Sequence, residues 1–74
     1  MEKRLLIAQY DEIEIVAKAL NSKIRREMLR ILRDKELNIN QLAQLLNIPQ
    51  STCTVNIQML EQAHLISTRQ VAAS

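Results

Sequence analysis

The chain has 74 residues, with ten Lys and Arg, eight Asp and Glu, and a formal net charge of +2. This length allows one small domain, residues 1–74, and the charge is too small to indicate nucleic-acid binding by itself. The sequence has no Gly and a single aromatic residue, which favours short helices over a sheet-rich fold, because hairpin turns commonly use Gly and strands are enriched in aromatics.

The chain carries one cysteine, Cys53, which excludes an internal disulfide and suits a reducing compartment. No apolar run reaches the length of a membrane span, and the first residues lack the apolar segment of a secretory signal. We therefore expect a cytoplasmic protein that has no membrane partner.

A first helix is predicted over residues 11–20, and its acidic first turn suits the helix dipole. Its predicted inward residues are Ile13, Val16 or Ala17, and Leu20. Together with the preceding RLLIAQY, this N-terminal segment, residues 1–20, holds more apolar surface than one small domain needs. Part of it is therefore expected at a subunit interface.

A second helix is predicted after Asn21 and Ser22, either of which can cap it. Its predicted inward residues are Ile24, Met28, Ile31 and Leu32. The stretch from Lys18 to Lys35 holds seven basic residues and two acidic ones, so the positive charge forms a patch. The same pattern is equally typical of a solvated helix face with surface ion pairs.

A third helix is predicted over residues 41–47, QLAQLLN, with Asn40 as its N-cap. Its predicted apolar stripe is Leu42, Leu45 and Leu46. Ile39 is assigned to a very short strand before the helix. Asn47 tolerates the left-handed conformation that ends a helix, and Pro49 restarts the chain.

A fourth helix is predicted over residues 50–63, which begin QSTCTVNIQ. Its predicted inward residues are Cys53, Ile57 and Leu60, so Cys53 is interpreted as a small buried hydrophobe rather than a reactive thiol. Leu65 and Ile66 predict the start of a strand within residues 64–74.

The third and fourth helices, joined by a tight turn within residues 41–63, have the pattern of a helix-turn-helix. Ala43 is small enough to let the two helices approach closely, and Ile48 fills the corner between them. In that motif the second helix lies in the major groove of DNA with its N-terminal residues against base edges. Plain helical bundles also use small contact residues, so the pattern alone is moderately specific.

Residues 19–66 resemble the winged helix-turn-helix of ArsR-type transcriptional regulators. The matching residues are Arg25, Leu42–Ala43, Gln50–Ser51–Thr52, Leu60, Ala63 and Leu65–Ile66. The resemblance implies a mostly α fold of winged-helix type, with a three-to-four-helix core and a truncated or minimal wing. It further implies a regulator that binds double-stranded DNA as a homodimer. A C-terminal sensor domain beyond Ser74 is a separate expectation, because the family's wing and C-terminal dimerisation helix do not occur in these residues.

The sequence departs from that family at three places. His64 replaces the Gly that ends the family's recognition helix, so a different C-cap is expected. Thr54, Val55 and Asn56 replace a Ser and two positions where His is frequent, which changes the expected base preference. The third helix lacks the family's cysteine pair, so metal sensing through that site is excluded.

The candidate DNA-binding residues form two groups. Those assigned to bases are Gln50, Thr54, Val55, Asn56 and Gln58. Asn and Gln can bond adenine bidentately, and Thr or an apolar side chain can meet a thymine methyl. Those assigned to phosphates are Ser51, Thr52, Lys23 and Arg26. The alternatives are ordinary helix capping for residues 50–52 and a solvated face for residues 54–58.

The sequence contains no Gly-rich phosphate loop and no recognisable set of nucleophile, base and orienting residue. We therefore expect no enzymatic activity, no cofactor and no metal. The rival function is a helix-turn-helix that serves as a dimerisation or protein-interaction module without DNA binding. Its best support is that no charged residue occurs from Leu37 to Leu60.

Overall fold

The computed structural model describes residues 2–7 and 10–70. These residues form four helices and no strand. The helices are α1 (Tyr10–Leu20), α2 (Lys23–Leu32), α3 (Ile39–Leu46) and α4 (Gln50–Gln62). The mostly α, helix-turn-helix class expected from the sequence is confirmed.

The helix α4 is central to the packing, because it contacts α1, α2 and α3. Its inward residues Cys53, Ile57 and Leu60 are buried, as predicted. The small residue Ala43 of α3 is also buried in the same cluster. The remaining members of the buried core are Ala19, Met28, Leu42 and Ala63. A helix that carries an outward binding face is thus held in place by every other helix.

The inward side of α1 differs from the prediction. Ile13 is 56% exposed and Leu20 is 37% exposed, whereas Ala19 is buried and Val16 packs against the core. An apolar helix can place either of two neighbouring stripes against its partners, and the packing of α1 on α2 and α4 selects the stripe through Val16 and Ala19. The other stripe remains exposed.

The predicted stripe of α3 also needs correction, because Leu45 is 58% exposed. The helix packs through Leu42, Ala43 and Leu46. At about 100° per residue, Leu45 lies roughly 100° from the middle of that face. The small residue Ala43 therefore takes the contact position that sequence periodicity assigned to Leu45.

The helix α3 begins two residues earlier than predicted, with Asn38 rather than Asn40 as its N-cap. The Asn38 side chain accepts from the Gln41 backbone N–H at 2.8 Å, and the Gln41 side chain accepts from the Asn38 N–H at 3.0 Å. This reciprocal capping box satisfies two free donors, and Asn40 has no Gln or Glu three residues later. Ile39 consequently lies in the first turn of α3 and not in a strand.

The turn between α3 and α4 forms as predicted. Asn47 adopts the left-handed conformation, with φ 54° and ψ 48°. The Ile48 N–H donates to the Ala43 carbonyl at 3.1 Å, and Ile48 packs against the core. These bonds satisfy the last carbonyls of α3 and set the direction in which α4 begins.

The end of α4 also differs from the prediction. His64 adopts φ 58°, its N–H donates to the Glu61 carbonyl at 2.9 Å, and the Leu65 N–H donates to the Leu60 carbonyl at 3.0 Å. This is the Schellman arrangement that Gly usually completes. The C-cap is therefore formed in the usual way, with a His in the left-handed position.

The strand predicted to start at Leu65 is not formed over residues 65–70. Leu65 and Ile66 instead pack against the helical core. A strand requires a hydrogen-bonded neighbour, and the described residues supply none. The rest of the predicted wing segment, residues 71–74, lies outside the described residues.

His64→Gly is expected to raise the free energy of unfolding by about 0.5–1 kcal/mol. The left-handed conformation costs an L-residue about 1–2 kcal/mol, and the greater freedom of Gly in the unfolded chain offsets part of that gain. Urea unfolding measures the change. Gln62→Gly, in the last turn of α4, is the control and should destabilise the protein by about 1 kcal/mol. Equal destabilisation by both variants would contradict the role assigned to the cap.

Candidate nucleic-acid interface

The outward face of α4 carries no charge at its N-terminal end. Its exposed residues are Gln50, Ser51, Thr52, Val55 and Gln58. All five belong to the residues predicted from the sequence to contact DNA. Val55 is 57% exposed, which confirms its predicted outward position. The face offers hydroxyl, amide and methyl groups, which are the groups that contact base edges.

The start of α4 leaves backbone donors available. Pro49 occupies the N-cap and provides no side-chain capping bond, and the first helical hydrogen bond runs from the Cys53 N–H to the Pro49 carbonyl at 3.0 Å. The N–H groups of residues 50–52 precede that bond and have no helical acceptor. Such a helix end suits an anionic group like a phosphate.

Thr54 and Asn56 are half-buried, and their side chains make hydrogen bonds within the chain. The Thr54 hydroxyl donates to the Gln50 carbonyl at 3.0 Å. The Asn56 Nδ2 donates to the Thr52 carbonyl at 2.9 Å, and its Oδ1 accepts from Arg25 at 2.8 Å. Both side chains therefore lie at the interface with part of their hydrogen-bonding capacity already used.

Arg25 is the residue that sequence reasoning placed outside the site. Its guanidinium donates to the carbonyls of Ala19 and Lys18 at 2.7 and 3.1 Å, and to Asn56 on α4. The carbonyls at the end of α1 bear partial negative charge, which favours a cation there. The one indication in the sequence was that Arg25 matches an arginine of the family it resembles.

The predicted phosphate contacts on α2 are both exposed. Lys23 is the first residue of the helix. Arg26 donates from Nη1 to the Leu20 carbonyl at 2.8 Å, so it also stabilises the end of α1. Two other cations of the patch make surface ion pairs, Arg30 with Glu27 at 3.0 Å and Arg33 with Asp34 at 3.7 Å. Exposed pairs of this kind contribute at most about 1 kcal/mol each.

Cys53 faces away from this surface and is fully buried. Burial raises the pKa of the Cys53 thiol, because the thiolate loses its solvation. The neutral thiol is therefore the form that the fold accommodates, as predicted. Among the described residues there is no cluster of three or more His, Cys, Asp or Glu side chains that could hold a metal ion.

The free energy of unfolding is expected to fall at alkaline pH, because ionisation of the Cys53 thiol favours the unfolded chain. Because burial raises the pKa of this thiol above its value in the unfolded chain, its contribution is fully present below the unfolded pKa and is lost as the pH rises through the folded pKa. Urea unfolding at pH 7 and pH 10 measures the difference, and Cys53→Ala is the control for other groups that titrate in this range. An alkaline loss of equal size in the two proteins would contradict this prediction.

A family model described as a helix-turn-helix domain matches residues 20–69, which is more than half of the chain. The chain belongs to this helix-turn-helix domain family. The matched residues include α2, α3 and α4, and thus both the neutral face and the two exposed cations. Searches among curated proteins and among solved structures found no significant match.

Helix-turn-helix domains are a DNA-binding, non-enzymatic kind of domain. In general terms the chain is therefore a DNA-binding regulator domain, with DNA as its partner. No helix in the described part of the chain is long and apolar enough to cross a membrane.

Proposed function

We propose that this helix-turn-helix domain is the sequence-specific DNA-binding domain of an ArsR-like transcriptional regulator, with α4 in the major groove. The observation that carries the proposal is the outward face of α4, which presents amides, hydroxyls and one exposed valine that the core does not need. Those groups can discriminate base pairs, whereas a face of cations would chiefly contact phosphates.

The roles divide according to exposure. Gln50, Val55 and Gln58 are exposed and are assigned to base edges. Thr54 and Asn56 contribute to the same surface with the capacity left after their internal bonds. The phosphate contacts are assigned to the exposed residues Ser51, Thr52, Lys23 and Arg26.

A homodimer is part of the proposal, and the exposed apolar surface of α1 supports it. Tyr10 is 64% exposed and Ile13 is 56% exposed, and both lie on a helix whose opposite side packs on the core. Two copies would place two α4 helices on half-sites about one turn apart, near 34 Å. The ArsR-like subtype is supported by the matches at Arg25 and Leu42–Ala43, and a sensor domain in addition to these helices is a further part of the proposal.

Selection of duplexes from a random library, followed by a salt series on the selected duplex, tests the proposal. Binding should fall log-linearly with salt, by a slope of about −0.9 for each phosphate neutralised. Lys23→Ala should reduce the magnitude of that slope by about one. Lys35→Ala, which removes an exposed cation from the connection between α2 and α3, is the control for net charge and should leave the slope unchanged.

The rival function is a protein-interaction module, favoured by the same exposed apolar residues of α1 and by the absence of charged residues from Leu37 to Leu60. A folded, dimeric protein that selects no duplex at low salt would overturn the DNA-binding proposal and support this rival. Enriched duplexes with a steep salt dependence would exclude it as the sole function.

A further inference from the structure

The guanidinium of Arg25 joins three helices. From α2 its Nε and Nη2 donate to the Ala19 and Lys18 carbonyls, at 2.7 and 3.1 Å, at the C-terminal end of α1. Its Nη1 donates to Asn56 Oδ1 of α4 at 2.8 Å and lies 3.3 Å from the Met59 sulfur. The two carbonyls of α1 hold the planar guanidinium in one orientation. The position from which Nη1 donates to Asn56 is therefore fixed.

The side-chain amide of Asn56 has one favourable orientation. Its Oδ1 accepts from Arg25, and its Nδ2 donates to the Thr52 carbonyl at 2.9 Å. A flipped amide would set N–H groups against the guanidinium and an oxygen against the carbonyl, so both bonds would be lost. The amide keeps a second N–H for another acceptor. Asn56 lies beside Ser51 and Val55 around a shallow depression on the outer side of α4.

We propose that Arg25 is a positioning residue for DNA recognition, because it holds Asn56 in a single amide orientation toward the bases. This inference rests on the proposed function and deepens it. A freely rotating Asn can offer either a donor or an acceptor to a base edge, and so tolerates different bases. An Asn held by Arg25 offers its remaining N–H, which favours a base edge that carries an acceptor. Arg25 thus sets base preference without touching DNA.

Arg25→Lys tests the inference, because a single ammonium keeps the charge but cannot bond two α1 carbonyls and Asn56 in the planar geometry of the guanidinium. Library selection should show a preference of about 2- to 12-fold at one base pair in the wild type, as expected for a single hydrogen bond, and its loss in Arg25→Lys. The slope of the salt series should stay unchanged. Arg30→Lys, an exposed residue of α2 paired only with Glu27 in the described structure, is the matched control and should keep the wild-type preference.

A second variant separates base preference from phosphate attraction. Arg26→Ala removes a proposed phosphate contact from the neighbouring position of α2, and it should weaken binding to all sequences alike and flatten the salt slope by about one. Loss of preference in Arg25→Lys with an unchanged slope, and the reverse in Arg26→Ala, would support the separate roles.

A measurement without DNA tests the contact itself. In the wild type, the two side-chain amide protons of Asn56 should differ in solvent exchange, as seen by NMR, because one is protected by its bond to the Thr52 carbonyl and the other is free. In Arg25→Lys they should move toward the positions of an exposed Asn and lose that protection, while circular dichroism shows that the helices remain. Unchanged Asn56 resonances, or shifted resonances with an unchanged base preference, would overturn the inference.

If Arg25→Lys does not fold, Asn56→Asp provides an alternative test of the inference. A carboxylate still accepts from Arg25 but offers no donor, so the base preference should change from acceptor-bearing to donor-bearing edges. A preference identical to that of the wild type would contradict the inference. If the wild-type protein selects no duplex, the proposed function fails together with it. If the wild type selects duplexes and the variants share its preference, the inference alone fails.

Discussion

Arg25→Ala is expected to lower the free energy of unfolding by about 2–4 kcal/mol. The substitution removes hydrogen bonds from one charged group to Ala19, Lys18 and Asn56, and a net hydrogen bond to a charged group contributes about 1.5–3 kcal/mol. The bonds share one side chain and are not additive, so the expected loss is less than their sum. For a domain of this size the melting temperature should fall by roughly 10–25 °C.

Arg30→Ala is the matched control for this prediction. It removes an arginine from the same helix, together with its exposed ion pair to Glu27, and should change stability by about 0.5 kcal/mol or less. Thermal unfolding followed by circular dichroism compares the two variants. Similar small losses in both would show that the three-helix contact of Arg25 contributes little to folding.

Leu42→Ala should lower the free energy of unfolding by about 2–5 kcal/mol, the range for removing a buried leucine side chain. Leu42 is 2% exposed and is among the largest fully enclosed side chains of the core. The total stability of a chain of this length is about 4–11 kcal/mol, so the variant approaches the limit at which the domain remains folded. The midpoint of urea unfolding measures the loss.

Leu45→Ala is the corresponding control on the same helix. Leu45 is 58% exposed, and its replacement should change stability by about 0.5 kcal/mol or less. The comparison holds residue type and helix constant, so it isolates burial. A loss of several kcal/mol at Leu45 would instead show that this leucine is covered in solution, for example by a second copy of the chain.

The absence of cations from α4 has a physical consequence for the proposed DNA complex. Phosphate attraction supplies most of the non-specific affinity of DNA-binding proteins, and from Leu37 to Leu60 this chain offers no cation. Lys23 and Arg26 must therefore provide attraction from α2, while α4 provides discrimination. A single copy is expected to bind weakly, and two copies on one duplex would bind more tightly because the second contact is intramolecular.

Much of the fold could be predicted from the sequence because its determinants are local. The cap at Ser22, the left-handed Asn47 and the restart at Pro49 each depend on the chemistry of one or two residues. The start of α3 is also determined locally, since Gln41 stands three residues after Asn38 and no such residue follows Asn40. The left-handed conformation of His64 could not be predicted in this way. Its energetic cost is offset by the packing of Leu65 against the core, which is a tertiary contact.

The sequence by itself determined that the chain forms four short helices, that Cys53, Ile57 and Leu60 face inward, and that Val55 faces outward. Helical periodicity carries that information, because residues three and four apart share a face. Only the tertiary structure decided which apolar residues are covered and which polar groups are engaged, since both depend on neighbouring helices. Arg25 and Asn56 are 31 positions apart, and no local pattern indicates that they meet. The uncharged start of α4, which we propose contacts DNA, is thus a local feature, whereas the orientation of the Asn56 amide depends on a contact from α2.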